Sequence, residues 1–272
     1  MARTACSPSQ TGKNAEGHVS SEEAQGTHEG FAERLAGVKA RITAAEVVSS
    51  REPGSVKLVC VSKTHPASAI REAYALGERR FGESYAKELF DKAAELVDLP
   101  DIEWHFIGHL QSNKAKLVAK VAHVIHSVDS ASLVKELARR YVAAGRFGDA
   151  SESTVEGAAP LEAAAPHPLR VLLEVNIGGE AQKHGVAQAE LPELLAAARA
   201  EPALRVVGLM AMPPADDLAE AKRVFSTLRT LRNLVEQDLP DLSMGMSGDL
   251  EVAVAEGATY VRVGTSIFGP RE

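Results

Sequence analysis

Short β-branched runs alternate with longer stretches of helical periodicity along most of this chain, and each pair occupies about 25–35 residues, the scale of a βα unit. The runs are VKLVCVS (56–62), RRFG (79–82), WHFI (104–107), VIHSV (124–128), RVLLEVN (170–176), VVGLM (206–210), LSMGM (242–246) and TYVRVG (259–264). A helix-forming stretch follows each. In PASAIREAYALG, Pro66 suits a first helical turn and Gly77 a stop, and in DSASLVKELARRYVAAG either Asp129 or Ser130 suits a cap. A further helix, 31–48, precedes the first strand. Eight parallel strands, each followed by a helix, predict an α/β fold: a single (β/α)8 TIM-type barrel with an extra N-terminal helix. A doubly wound open sheet is the alternative, but no Gly-x-Gly-x-x-Gly follows the first strand to support it.

Two segments break the rhythm. Residues 1–28 are rich in Ser, Thr, Gly, Glu and Gln with almost no large apolar side chains, so burial cannot offset the entropy of ordering them, and a disordered tail is expected. Residues 145–168 resemble a flexible insertion, which leaves 29–272 as one barrel domain. Composition narrows the partners. A net charge of −7 and 4% aromatic residues disfavour nucleic-acid and membrane surfaces, although a local basic pocket is still compatible. Cys6 and Cys60 sit in unlike settings without paired spacing, no run approaches a membrane span, and no signal-peptide h-region opens the chain. A cytoplasmic protein is expected.

The chemistry of a barrel of this kind lies at the C-terminal ends of its strands. Here those ends are unusually polar: Lys63, Gly82 with Glu83 and Ser84, Gly108 with His109, Asp129, Asn176, Met210, Ser247, then Arg262 with Gly264 and Thr265. Period-2 alternation puts Lys63 on the face shared by Val59 and Val61, so its stem rises from the barrel interior with the amine at the mouth. Partial withdrawal from water there favours the neutral, nucleophilic amine that Schiff-base chemistry needs. A strand-end lysine snorkelling to water is the equally simple reading, and position alone does not choose.

Ser247, Gly248 and Asp249 open a helix after the seventh strand, and Gly264 and Thr265 do so after the eighth, so each loop offers backbone N–H groups to an anion. Either serine cap or glycine turn taken alone is ordinary, but loops seven and eight together form the usual phosphate pocket of phosphate-binding barrels. A lysine facing a phosphate pocket implies a phosphorylated carbonyl compound, and pyridoxal 5'-phosphate (PLP) is the leading candidate. Arg262, on the inward face, then meets the ring nitrogen and keeps it unprotonated, which weakens the ring as an electron sink. His105 with His109, and His123 with His126, lack the partners of a zinc signature, so core or surface roles are expected, and the KHG at 183–185 is read as a polar loop.

The stretches VSKTHP, RRFGESYAKE, WHFIGHLQSNKAK, VNIGGEAQKHG, GLMAMPP and LSMGMSGDLEVAVAEGATYVRVGTSIFG together resemble the pyridoxal phosphate homeostasis protein family, over about residues 31–271. That family's domain is similar to the barrel of alanine racemase. The resemblance implies a PLP aldimine on Lys63, phosphate contacts from Ser247, Gly264 and Thr265 with Met246 beside them, and Arg262 at the pyridine nitrogen. The family's FGENY reads FGESY here, so Ser84 replaces an asparagine near the cofactor. The implied function is to hold, buffer and deliver PLP to apo-enzymes as a monomer, serving vitamin B6 and amino-acid pools without an established reaction.

The competing functions are an amino-acid racemase and a cofactor-free phosphosugar enzyme. Racemisation needs proton transfer on both faces of a carbanion, and Lys63 supplies at most one of the two groups. The sequence closes at Glu272, directly after the eighth strand's loop, so the racemase β domain that brings the partner tyrosine is not expected.

Overall fold

The first apolar run forms strand β1 (Lys57–Val61), with Leu58 and Cys60 turned to surrounding helices and Val59 and Val61 to the barrel interior. In this computed structural model, residues 21–147, 167–179, 184–235 and 239–270 are described. The remaining strands are β2 (Arg80–Glu83), β3 (Glu103–Phe106), β4 (Val124–Val128), β5 (Leu169–Asn176), the short β6 (Val186–Ala187), β7 (Leu204–Met210), β8 (Asp241–Ser243) and β9 (Tyr260–Val263). They pair in parallel in the order β4-β3-β2-β1-β9-β8-β7-β5, β4 joins β5 to close the barrel, and β6 adds to β5.

All eight predicted strands are present, with shifted ends. The seventh run stops at Ser243 rather than 246, because Gly245 at φ +91° turns the chain out of the sheet. In β7 the register slips, with Val171 opposite Val206 and Leu172 opposite Gly208. Met210 is consequently buried with Val124, Leu172 and Val207 in a small interior core, separate from the large core between sheet and helices, and is not at the mouth. Among the described residues, no helix is long and apolar enough to cross a membrane.

The helices after the strands are α2 (Ala67–Ala75), α3 (Ala86–Glu95), α4 (Ala115–Val121), α5 (Ala131–Ala143), α6 (Leu191–Arg199), α7 (Leu218–Leu234), α8 (Leu250–Ala255) and α9 (Thr265–Phe268). Pro66 and Ser130 stand at the N-cap positions of α2 and α5, without side-chain cap bonds. Helix α1 (Ser21–Val48) begins ahead of the expected start at 31. The rest of the expected tail, residues 1–20, lies outside the described residues, as does 148–166 of the expected insertion.

Helix α1 braces the loops after β8 and β9. Arg41 donates to the Ser247 carbonyl oxygen (3.0 Å) and pairs with Glu251, while Arg34 donates to the Ile267 carbonyl oxygen (2.9 Å) and Phe31 packs on Phe268. A second clamp holds the end of β1. Lys92, on α3 and almost fully buried, donates to the Ser62 carbonyl oxygen, to Glu83 Oε1 and to Glu88 Oε1, each at 2.7 Å. Ser62 Oγ donates to the same Glu83 oxygen (2.7 Å), and Glu88 Oε1 accepts the Thr64 N–H (2.6 Å). Thr64 sits at φ +68°, a conformation that costs a non-glycine residue energy and persists only where neighbours impose it. Both residues flanking Lys63 are thus tied to one buried ion network.

Glu83 is therefore no mouth residue: it lies on the outer face of β2, fully buried, and burial pushes its carboxyl up to about 6 against the pull of Lys92. At neutral pH it is ionised and needs its cation. Lys92→Met is expected to cost about 3–5 kcal/mol in urea denaturation, the usual penalty for stranding a buried charge, and adding Glu83→Gln should recover part of it. Equal midpoints for Lys92→Met and wild type would show that the network contributes nothing.

Candidate functional site

Lys63, Ser84, Met246, Ser247, Arg262, Gly264 and Thr265 line one cavity of about 280 Å³ at the C-terminal mouth of the barrel. Val61, Ile107 and Met212 add apolar walls, and His65 and Gly248 complete the rim. The lysine rises from the clamped end of β1 and is half-buried. The loops carrying Ser247 and Thr265 come from β8 and β9, the pair braced by α1. Two glycines permit the close approaches this geometry requires. A Cβ at Gly108 would sit 2.2 Å from the Ser84 carbonyl oxygen, and one at Gly264 would sit 3.1 Å from the Val61 carbonyl oxygen.

Ser247 is not a helix cap. Asp249 occupies that position ahead of α8 and accepts the Met246 N–H at 2.6 Å, which folds the loop back and leaves the Ser247–Gly248 segment at the cavity. After β9, Gly264 is the N-cap of α9, so the N–H groups that begin at Thr265 open a helical turn with no acceptors of its own behind them.

Arg262 is buried in the cavity's base, and a chain of hydrogen bonds fixes its head. Its Nη1 donates to Ser243 Oγ (2.5 Å), Ser243 Oγ lies 2.7 Å from His126 Nδ1, and His126 Nε2 lies 2.8 Å from His105 Nδ1. Ser243 Oγ can accept from both neighbours, so the direction is set at the far end: the Glu103 carboxylate can only accept, and it lies 3.1 Å from His105 Nε2, off the line of an ideal hydrogen bond, which favours the His105 proton on Nε2. His105 Nδ1 then accepts from His126 Nε2–H, and His126 Nδ1 accepts the Ser243 hydrogen. Burial holds both imidazoles neutral by lowering their pKa values, which this tautomer assignment requires.

Glu103 is the anionic end. Burial opposes its charge, but His105 and Arg170 together outweigh burial and keep the carboxyl below its ordinary range. At the other end burial lowers Arg262 to about 10, while the charges of Glu174 and Asp249 offset part of that loss. The guanidinium therefore remains a cation at neutral pH, with Nη2 3.5 Å from the Ala211 carbonyl oxygen. Glu174, raised to about 7 by burial and by the charge of Asp129, lines an adjoining pocket with Asn176 and His184.

His105 and His126 are core residues, as expected, but they also position Arg262, which reading the sequence did not reveal. The available signal was parity: His105, Ser243 and Arg262 fall on inward positions of their strands, where a barrel interior is ordinarily apolar. His109 and Asp129 lie with His184 outside the lining of the lysine cavity, His184 in the pocket that adjoins it.

The alanine racemase N-terminal domain model matches residues 39–272. The pyridoxal phosphate homeostasis protein of Pseudomonas aeruginosa is 43% identical over 243 residues, covering 89% of this chain and 96% of the relative. Its Escherichia coli K12 counterpart is 39% identical over 250 residues, covering 89% and 97%. PipY of Synechococcus elongatus, solved with PLP bound, is 38% identical with a TM-score of 0.71, covering 88% of this chain and all of PipY. By sequence, length and barrel architecture, this chain belongs to the pyridoxal phosphate homeostasis protein family.

Proposed function

We propose that this protein binds PLP in the Lys63 cavity and acts as a cytoplasmic, monomeric carrier that buffers the cofactor and passes it to apo-enzymes. The observation that carries the reading is one cavity containing a positioned amine, a buried guanidinium and two hydroxyl-bearing anion loops, in a chain whose relative PipY was solved with PLP bound. The donor set suits such a group: an anion on one side, a carbonyl on the other, and Val61, Ile107 and Met246 as apolar walls for a flat ring.

When bound, PLP supplies an electrophilic aldehyde. Lys63 acts as the covalent anchor. Ser247 and Thr265, with the N–H groups that start α9, hold the phosphate, and Arg262 faces the pyridine nitrogen. Because Arg262 cannot give up a proton to that nitrogen, and is fixed by Ser243, it disfavours the electron-withdrawing ring state that amino-acid chemistry exploits. Ser84 stands where the family has a longer amide, and its hydroxyl reaches less far into the cavity with fewer donors. Racemisation needs proton transfer on both faces of a substrate carbanion, and Lys63 supplies at most one of the two groups, which supports retention over turnover.

Lys63→Ala should abolish the visible absorbance of the lysine-bound cofactor, and borohydride trapping should no longer add the cofactor mass to this peptide. An unchanged spectrum would move the anchor to another lysine. Ser247→Ala and Thr265→Ala should each weaken PLP binding by about tenfold, the loss of a hydrogen bond to a charged group, while leaving the covalent bond able to form. Undiminished affinity in both would remove the phosphate assignment. Incubation of the wild type with D- and L-amino acids should give no turnover by chiral chromatography; robust racemisation would replace the carrier reading with an enzymatic one.

A further inference from the structure

The loops after β3, β4 and β5 bring together three side chains that the lysine cavity does not use: His109, Asp129 and His184. One ligand atom from each lies within 4.8 Å of the other two. His109 Nδ1 is 3.5 Å from Asp129 Oδ2, and the His109 and His184 rings stack at 3.6 Å with their planes 8° apart. Both histidines are exposed and Asp129 is half-buried, so the group opens to solvent at the rim.

Two imidazoles and one carboxylate are a donor set for divalent transition ions rather than for magnesium or calcium, which prefer oxygen alone. His109 and Asp129 closely follow β3 and β4, and His184 stands two residues ahead of β6, so three separate segments of the barrel rim bring the donors together. Metal–nitrogen bonds of about 2.0–2.1 Å in a tetrahedral site place donors roughly 3.4 Å apart. His109 and Asp129 already stand near that spacing at 3.5 Å, and no pair is farther apart than 4.8 Å. The stacked rings must splay, because each lone pair lies in its ring plane. Exposed side chains make this movement by χ rotation alone.

We propose that His109, Asp129 and His184 form a divalent transition-metal site of the zinc class at the barrel mouth. The three protein ligands leave at least one position for water or for a donor atom of a molecule docked at the rim, beside the pocket lined by Glu174 and Asn176. The site is separate from the lysine anchor and stands or falls independently of it.

The test uses untagged full-length protein and Zn2+ in isothermal titration calorimetry, with metal content measured after dialysis. Wild type should take up one equivalent, and His109→Ala/His184→Ala should bind more than about 100-fold more weakly or not at all, beyond the roughly 10–100-fold loss caused by removing an outer-shell partner. Asp129→Asn should fall between them. Circular dichroism should report the same fold for each variant, since the two histidines are exposed. The proposal is overturned if wild type shows no stoichiometric uptake, which would make the trio a plain stacking contact. It is equally overturned if the double variant binds as wild type does, which would put the ion on other histidines such as His18 or His28.

Discussion

A cation buried inside a barrel is the constraint from which the site follows. Arg262 lies 4% exposed at the base of the cavity, where an unsatisfied guanidinium would cost several kcal/mol. The barrel meets that cost with a chain of neutral donors and acceptors through Ser243, His126 and His105 to Glu103. Each link has one consistent proton position, so the chain does more than satisfy the arginine: it specifies which way the guanidinium points. Replacing any interior member with an apolar side chain would free a neighbour to rotate. The interior of this barrel is accordingly part polar wire and part small apolar cluster, not the uniform layers of branched residues that fill many barrels.

The lysine is positioned by a different device outside the barrel wall. Its own side chain points inward, while its neighbours Ser62 and Thr64 are held by Lys92, Glu83 and Glu88 on the outer face. The network that fixes the backbone on both sides of Lys63 thus lies outside the barrel wall, while the Lys63 side chain lines the cavity within it. On the far side of the cavity the extra helix α1 performs the corresponding task for the β8 and β9 loops through Arg34 and Arg41. Both devices use arginine or lysine on carbonyl oxygens, which fixes backbone rather than side-chain geometry.

Much of this was legible in the chain itself. Eight β-branched runs became eight barrel strands, and parity along 57–63 correctly placed Lys63 at the mouth with Val61. Ser84, Met246, Ser247, Gly264 and Thr265 were assigned to one mouth and line one cavity. Two strand-end residues did not follow. Met210 turned inward because a register slip in β7 shifts its face, and Glu83 turned outward because it belongs to β2 itself. Lys92 looked like an ordinary charged residue on an amphipathic helix, and nothing in its neighbourhood along the chain announces its burial.

The sequence alone determined the periodicities, and hence the eight barrel strands and the alternation of helices between them, though not the short β6, because those periodicities depend on residues within a few positions of one another. It also determined which residues stand at strand ends, since alternation is local. Only the tertiary structure decided which of them meet. His126 and Ser243 are 117 residues apart, and Arg41 reaches Ser247 across 206. Such contacts depend on barrel closure and strand register, where a shift of one residue exchanges inside for outside. No local pattern carries that information.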